Sequence, residues 1–222
     1  MPYPDRFVYP DRFYPVVDSV AWVARLTALG VGTIQLRAKN LDDAQALAIV
    51  RDALAAVRGT RTKLVVNDYW RAAIAAGADH LHLGQEDLVD ADLKAIRDAG
   101  LTLGLSTHDD AELATALRAN PDYIALGPIF PTTLKSMRFA PQGIPKISEW
   151  KKRIGNIPLV AIGGIKLEQA EEIFKTGADS IAVVSDVTQN VDPDARVRAW
   201  LKGFTQADEE DGSWKPRFLS AR

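Results

Sequence analysis

Residues 63–84, "KLVVNDYWRAAIAAGADHLHLG", decide the fold. Two short apolar runs, "KLVVND" and "DHLHLG", enclose an alanine-rich stretch with helical spacing that stops at Gly77. The pattern is strand, helix, strand. It recurs on both sides of this stretch. Strand-like runs stand at "FYPVVD" (13–18), "GTIQLR" (32–37), "LTLGLS" (101–106), "YIALGP" (123–128), "PLVAIGG" (158–164) and "SIAVVS" (180–185). Between them lie helical stretches such as "LDDAQALAIVRDALAAVRG" (41–59) and "DAELATALRAN" (110–120). Asp42 and Asp109 occupy capping or first-turn positions, and Gly30, Gly59, Gly100 and Gly177 follow last turns. Eight strands alternating with helices predict a parallel sheet. In 222 residues that count favours a closed, single-domain (β/α)8 TIM barrel over an open sheet. The expected division is an N-terminal arm at 1–12, the barrel at 13–206 and a C-terminal tail at 207–222. A short duplication, "YPDRF" at 3–7 and 9–13, is read as an arm followed by the lead-in to the first strand.

A formal charge of -2 gives no global attraction to nucleic acid or to an anionic membrane, so any anion must be held by a local site. The absence of cysteine excludes disulfides and thiol chemistry. No run is long and apolar enough to span a bilayer, and the polar, proline-rich start is unlike a signal peptide. The expectation is a soluble cytoplasmic protein. The oligomeric state is open, a homo-oligomer included.

In a barrel of this kind the pocket lies at the carboxyl ends of the strands, so the strand-terminal residues are its inventory. Gly163-Gly164 follows strand seven and Val184-Ser185 follows strand eight, where barrels commonly bind phosphate. An ordinary glycine turn explains the first pair less well in that place. Arg37, Lys39 and Lys135 end strands two and six and together suit a polyanion, against the bland alternative of surface ion pairs. Alternation aims Gln35 and Arg37 to the same side. Asp68 and Asp87 end the neighbouring strands three and four. Beside the cations they suit a magnesium ion that keeps several waters and bridges to substrate oxygens, although Asp87 serves as well to cap a helix and Asp68 to make an Asx turn. His80 and His82 share a strand face, but no third ligand makes them a zinc site. His82 reads as a hydrogen-bonded barrel residue. His108 carries no assignment.

The ordered set "TIQLRAK", "VVNDYWRAAIAAGADHLHLGQEDL", "LGLSTH", "YIALGPIFPTTLK", "VAIGGI" and "ADSIAVVSD" resembles the thiamine phosphate synthase family across about residues 13–203. The resemblance implies a transferase. It would condense the pyrophosphate ester of 4-amino-5-hydroxymethyl-2-methylpyrimidine with a thiazole phosphate, or its carboxylated form, to give thiamine monophosphate and pyrophosphate. It implies that Gln35, Leu36, Arg37, Ala38, Lys39, Asn67, Ser106 and Lys135 hold the pyrimidine pyrophosphate, with Arg37, Lys39, Ser106 and Lys135 as the catalytic set. Asp68 and Asp87 would bind Mg2+. Thr132, Thr133, Leu134, Gly163, Gly164, Val184 and Ser185 would hold the thiazole phosphate. Two positions depart from the family pattern. Leu134 stands where a second threonine is common, and Ala38 where an acidic residue is common. Neither removes a catalytic charge. A related thiazole tautomerase needs no pyrophosphate clamp, and a non-catalytic thiamine phosphate sensor would not need the intact cations.

Overall fold

Eight parallel strands close into a barrel in the computed structural model, which describes residues 9–132 and 139–205. The strands are β1 (Phe13–Val17), β2 (Thr33–Leu36), β3 (Lys63–Asn67), β4 (His80–Leu83), β5 (Thr102–Thr107), β6 (Tyr123–Leu126), β7 (Leu159–Ile162) and β8 (Ser180–Val183). Each pairs with its neighbour in sequence, and β8 returns to β1 through Phe13 opposite Ile181. The expected (β/α)8 barrel is the observed fold.

The helices are α1 (Val20–Ala28), α2 (Asp43–Val57), α3 (Trp70–Ala76), α4 (Gln85–Val89), α5 (Leu93–Asp98), α6 (Asp110–Arg118), α7 (Ile144–Ile154), α8 (Ala170–Lys175), α9 (Ser185–Thr188) and α10 (Pro193–Thr205). Several of them, α1, α2, α5 and α6, start where a side chain satisfies one of the first free amides. Asp42 accepts from the Gln45 amide at 2.8 Å while Gln45 returns a bond to the Asp42 amide, a reciprocal cap worth about 1 kcal/mol. Asp109 caps α6 by accepting from the Glu112 amide at 2.9 Å. Among the described residues no helix is long and apolar enough to cross a membrane.

Alternation divides the strand residues between two layers. Val17, Ile34, Leu36, Leu64, Ile124 and Leu126 face the helices and join the outer core with Trp150 and Trp200. Tyr14, Val16, Val65, Tyr123, Ala125, Val160 and Ala182 form a separate buried cluster that fills the barrel. Its floor is closed by the lead-in to β1. The Tyr9 ring stacks on His80 at 4.5 Å and meets Tyr123 edge-on at 5.7 Å, so this stretch contributes packing as well as a path into the first strand.

The fit at the centre depends on Gly104. A Cβ there would lie 2.0 Å from Cζ of Tyr123, so only glycine lets that ring cross the barrel. We expect Gly104→Ala to destabilise the protein by about 2 kcal/mol or more, the cost of overpacking a close-packed interior. Urea unfolding of the two proteins measures the difference. Equal midpoints and slopes would show that the ring moves freely.

Candidate active site

Several interior-facing positions near the carboxyl end are polar. Gln35 of β2 is buried and its Nε2 donates to the Tyr14 hydroxyl at 2.8 Å. Tyr14 and Tyr123 hydroxyls lie 2.9 Å apart. The Tyr123 hydroxyl is also 2.9 Å from His82 Nδ1, and His82 Nε2 is 2.8 Å from Ser106 Oγ. Burial pushes the pKa of His82 down to about 4 and those of both phenols up, so all three stay neutral at physiological pH. Sequence reading found Gln35 and Ser106 and anticipated a hydrogen-bonded His82. It missed the two tyrosines, which look like ordinary strand residues.

One layer above, Asn67 ends β3 opposite His82, and its side-chain Nδ2 is buried without a hydrogen-bond partner. Asp68 follows in the left-handed region (φ 66°), where aspartate is among the tolerated residues. Its carboxylate accepts from Lys39 Nζ at 3.0 Å. Asp87, in the first turn of α4, hydrogen-bonds the Asp68 carboxyl. Burial, then the Asp68 charge, then that bond push the Asp87 pKa up to about 6 from 3.8. Two carboxyls thus lie side by side. Among the described residues no third carboxylate, histidine or cysteine completes a metal-ligand group with them.

The remaining predicted residues scatter more. Arg37 stands just past β2, half-buried, with its amide on the Val17 carbonyl at 2.7 Å. Leu36 turns into the outer core and Ala38 is buried, so Leu36 offers the pocket only backbone. Gly163 (φ 99°) and Gly164 (φ 69°) follow β7 in conformations that favour glycine. Added Cβ atoms would meet Pro128 Cα at 2.6 Å and the Pro131 carbonyl at 2.5 Å, so the β6 and β7 loops touch through backbone. Thr132 stands on that β6 loop. Thr133, Leu134 and Lys135 lie outside the described residues, as does the tail expected at 207–222. Val184 precedes the one-turn helix α9, which Ser185 begins.

That short helix is anchored from behind. Asp186, next to Ser185, accepts from Arg196 Nε and from Trp200 Nε1, each at 2.8 Å, and Arg196 continues to Glu168 at 2.7 and 2.8 Å. Asp186 was visible as a strand-terminal acid, but it is a structural anion. His108, left without an assignment, is held by Glu112, which accepts from its amide at 2.8 Å and lies 2.7 Å from Nδ1. Its ring stacks on Phe139 at 4.7 Å, while Gln142 donates to its carbonyl. The β5 and β6 loops are tied together there. Gln85 adds a further tie that sequence reading did not use, donating to the Ser106 carbonyl at 2.6 Å.

A closed parallel barrel with acids, bases and hydroxyls gathered at the carboxyl ends of its strands is an enzyme of the TIM-barrel class. The family described as Thiamine monophosphate synthase matches residues 7–187. The thiamine-phosphate synthase of Rhizobium etli is 56% identical over 191 residues, covering 86% of this chain and 94% of its own length. That of Neisseria meningitidis serogroup B is 50% identical over 191 residues, covering 86% and 93%. Among solved structures, a thiamine phosphate pyrophosphorylase from Pyrococcus furiosus matches with a TM-score of 0.75 at 29% identity, covering 86% of this chain and 94% of that one. A 3-hexulose-6-phosphate synthase from Salmonella typhimurium, at 15% identity and a TM-score of 0.67 over 86% of this chain and 97% of its own, shares the fold alone. The chain belongs to the thiamine monophosphate synthase family, and it is a transferase.

The raised pKa of Asp87 has a definite sign. The folded state binds this proton more tightly than the unfolded state, so the group adds stability below pH 4 and loses it as pH rises through about 6. In metal-free buffer, the melting temperature of wild type minus that of Asp87→Asn is expected to fall as pH rises from 4 to 7. A flat difference would mean that folding does not raise the Asp87 pKa.

Proposed function

We propose that the enzyme joins the pyrimidine CH2 pyrophosphate to the thiazole phosphate, using the residues marked above. The observation that carries this reading is the pair of carboxyls, Asp68 and Asp87, meeting beside Lys39 at the mouth of the barrel. Two adjacent hard oxygen donors are a fitting partial ligand set for Mg2+, with water and substrate oxygens as the remaining ligands. When bound there, the ion supplies positive charge against the pyrophosphate oxygens.

In this reading the protein's own groups do the rest. Gln35 and Ser106 orient the pyrimidine, and Asn67 Nδ2 gains the acceptor it lacks. Arg37 and Lys135 face the pyrophosphate, joined by Lys39 when it leaves Asp68. As the C–O bond breaks, its electron pair leaves with pyrophosphate, and the aminopyrimidine carries the positive charge on the CH2. The thiazole nitrogen then donates its lone pair to that carbon. The carboxylated thiazole would also release CO2. Thr132, Thr133, Gly163, Gly164, Val184 and Ser185 hold the thiazole phosphate, with Leu134 where a hydroxyl contact is commonly found. The enzyme need supply no covalent nucleophile. Its contribution is alignment and fixed charge.

Purified protein mixed with both substrates and Mg2+ is expected to release thiamine monophosphate and pyrophosphate in equal amounts. Isomerisation of a thiazole phosphate without the pyrimidine would overturn the reading in favour of a tautomerase. Binding of thiamine phosphates without turnover would favour a sensor. Lys135→Ala should lower kcat about a hundredfold, because its contact strengthens only as charge develops on the leaving group. Steady-state kinetics would contradict this role if kcat held and only the KM for the thiazole phosphate rose.

A further inference from the structure

The hydroxyl and imidazole groups inside the barrel form one unbroken chain, Gln35–Tyr14–Tyr123–His82–Ser106, drawn from β2, β1, β6, β4 and β5. Each central member has two neighbours in the chain, and a phenol has one hydrogen to give. Only two arrangements make all four bonds and use both phenol hydrogens, and they run in opposite directions. The amide of Gln35 chooses between them. Because its Nε2 donates to Tyr14, the Tyr14 hydrogen goes to Tyr123 and the Tyr123 hydrogen goes to His82 Nδ1. His82 then carries its proton on Nε2 and donates to Ser106 Oγ. The Ser106 hydrogen is left over at the pocket end.

We propose that His82 is a positioning residue, fixed by Tyr123 as the Nε2-protonated tautomer, so that Ser106 offers its hydroxyl hydrogen to an acceptor atom of the substrate. The proposal rests on the reading above that Ser106 touches substrate. It adds the polarity of that contact and the residues that impose it. A hydroxyl on an exposed loop turns to suit either partner. Here rotation is constrained, since one lone pair of Ser106 is occupied by His82. Reversing the hydroxyl requires reversing three buried hydrogen bonds and turning the Gln35 amide. The site thus offers a hydrogen to a substrate atom with a lone pair at this position before any ligand arrives.

The direction is readable without activity. The protein has three histidines, and in substrate-free wild type labelled with 15N-histidine the two ring-nitrogen shifts report which nitrogen carries the proton. The His82 signal, identified by its loss in His82→Gln, is expected in the Nε2-protonated form. The Nδ1-protonated form would overturn the proposal. Kinetics test the consequence. His82→Leu should lower kcat/KM about tenfold in wild type, the scale of one lost hydrogen bond, and by less than about twofold in Ser106→Ala. His82→Gln, whose amide can still donate to Ser106, should restore most of the loss. An equal cost of His82→Leu in both backgrounds would show a general packing role and overturn the positioning role. If Ser106→Ala leaves kcat/KM unchanged, the assignment of Ser106 to substrate fails and takes the functional half of the proposal with it. The nitrogen shifts still decide the direction of the chain.

Discussion

Two phenol hydroxyls, those of Tyr14 and Tyr123, lie buried in the middle of the barrel, and much of the molecule is arranged so that neither is left unpaired. An unsatisfied hydroxyl at such a depth costs on the order of 1–3 kcal/mol. Each phenol therefore pairs with the other and with one further polar group, Gln35 on one side and His82 on the other. That requirement places glycine at 104, where a side chain would collide with the ring. It also sets a boundary. Below the phenols the interior is closed by the Tyr9–His80 stack, and above them stand the polar Gln35, Asn67 and Ser106 beside the apolar Ile162 and Val184.

Above that boundary charge is handled at two places in opposite ways. Asp186 is almost fully satisfied by Arg196 and Trp200, so it fixes the start of α9 and has little capacity left for a ligand. Asp68 is met by one half-exposed lysine, and Asp87 is crowded against Asp68. A carboxylate that is already neutralised is scaffold, whereas one crowded against another acid has unmet demand for a cation. Residue type alone does not separate these cases, because all three are aspartates just past the end of a strand.

This limit explains what was legible in the sequence. The strands were, because apolar runs of four to six residues between capped helical stretches have few other readings. The mouth of the barrel was, because parity along each strand and the rule of carboxyl ends turn a linear list into a ring. Gln35, Asp68, Asp87 and Ser106 were placed at that end of the barrel in this way. The Tyr14–Tyr123 pair was not, since its members are 109 positions apart and each fits a strand. The role of Gly104 was hidden for the same reason, because a strand glycine does not announce which ring lies over it. The distinction between Asp186 and Asp68 depended on Arg196, ten residues beyond Asp186 on a helix whose contacts only folding creates.

The seam between β1 and β8 bears on how such a chain is made. Phe13, Tyr14 and Pro15 pair with Ile181, Ala182 and Val183, and the carbonyls of Asp11 and Arg12 accept from Ser180 Oγ and the Ile181 amide. During synthesis the first strand emerges from the ribosome long before its last neighbour exists. At roughly 5–20 residues per second, an interval of about ten to thirty seconds separates them. Throughout it the nascent sheet has two open edges, one on β1 and one on the newest strand, each able to recruit a strand from another chain. The final strand thus removes both edges at once, and the nascent chain is exposed to misassembly until its final quarter has been translated.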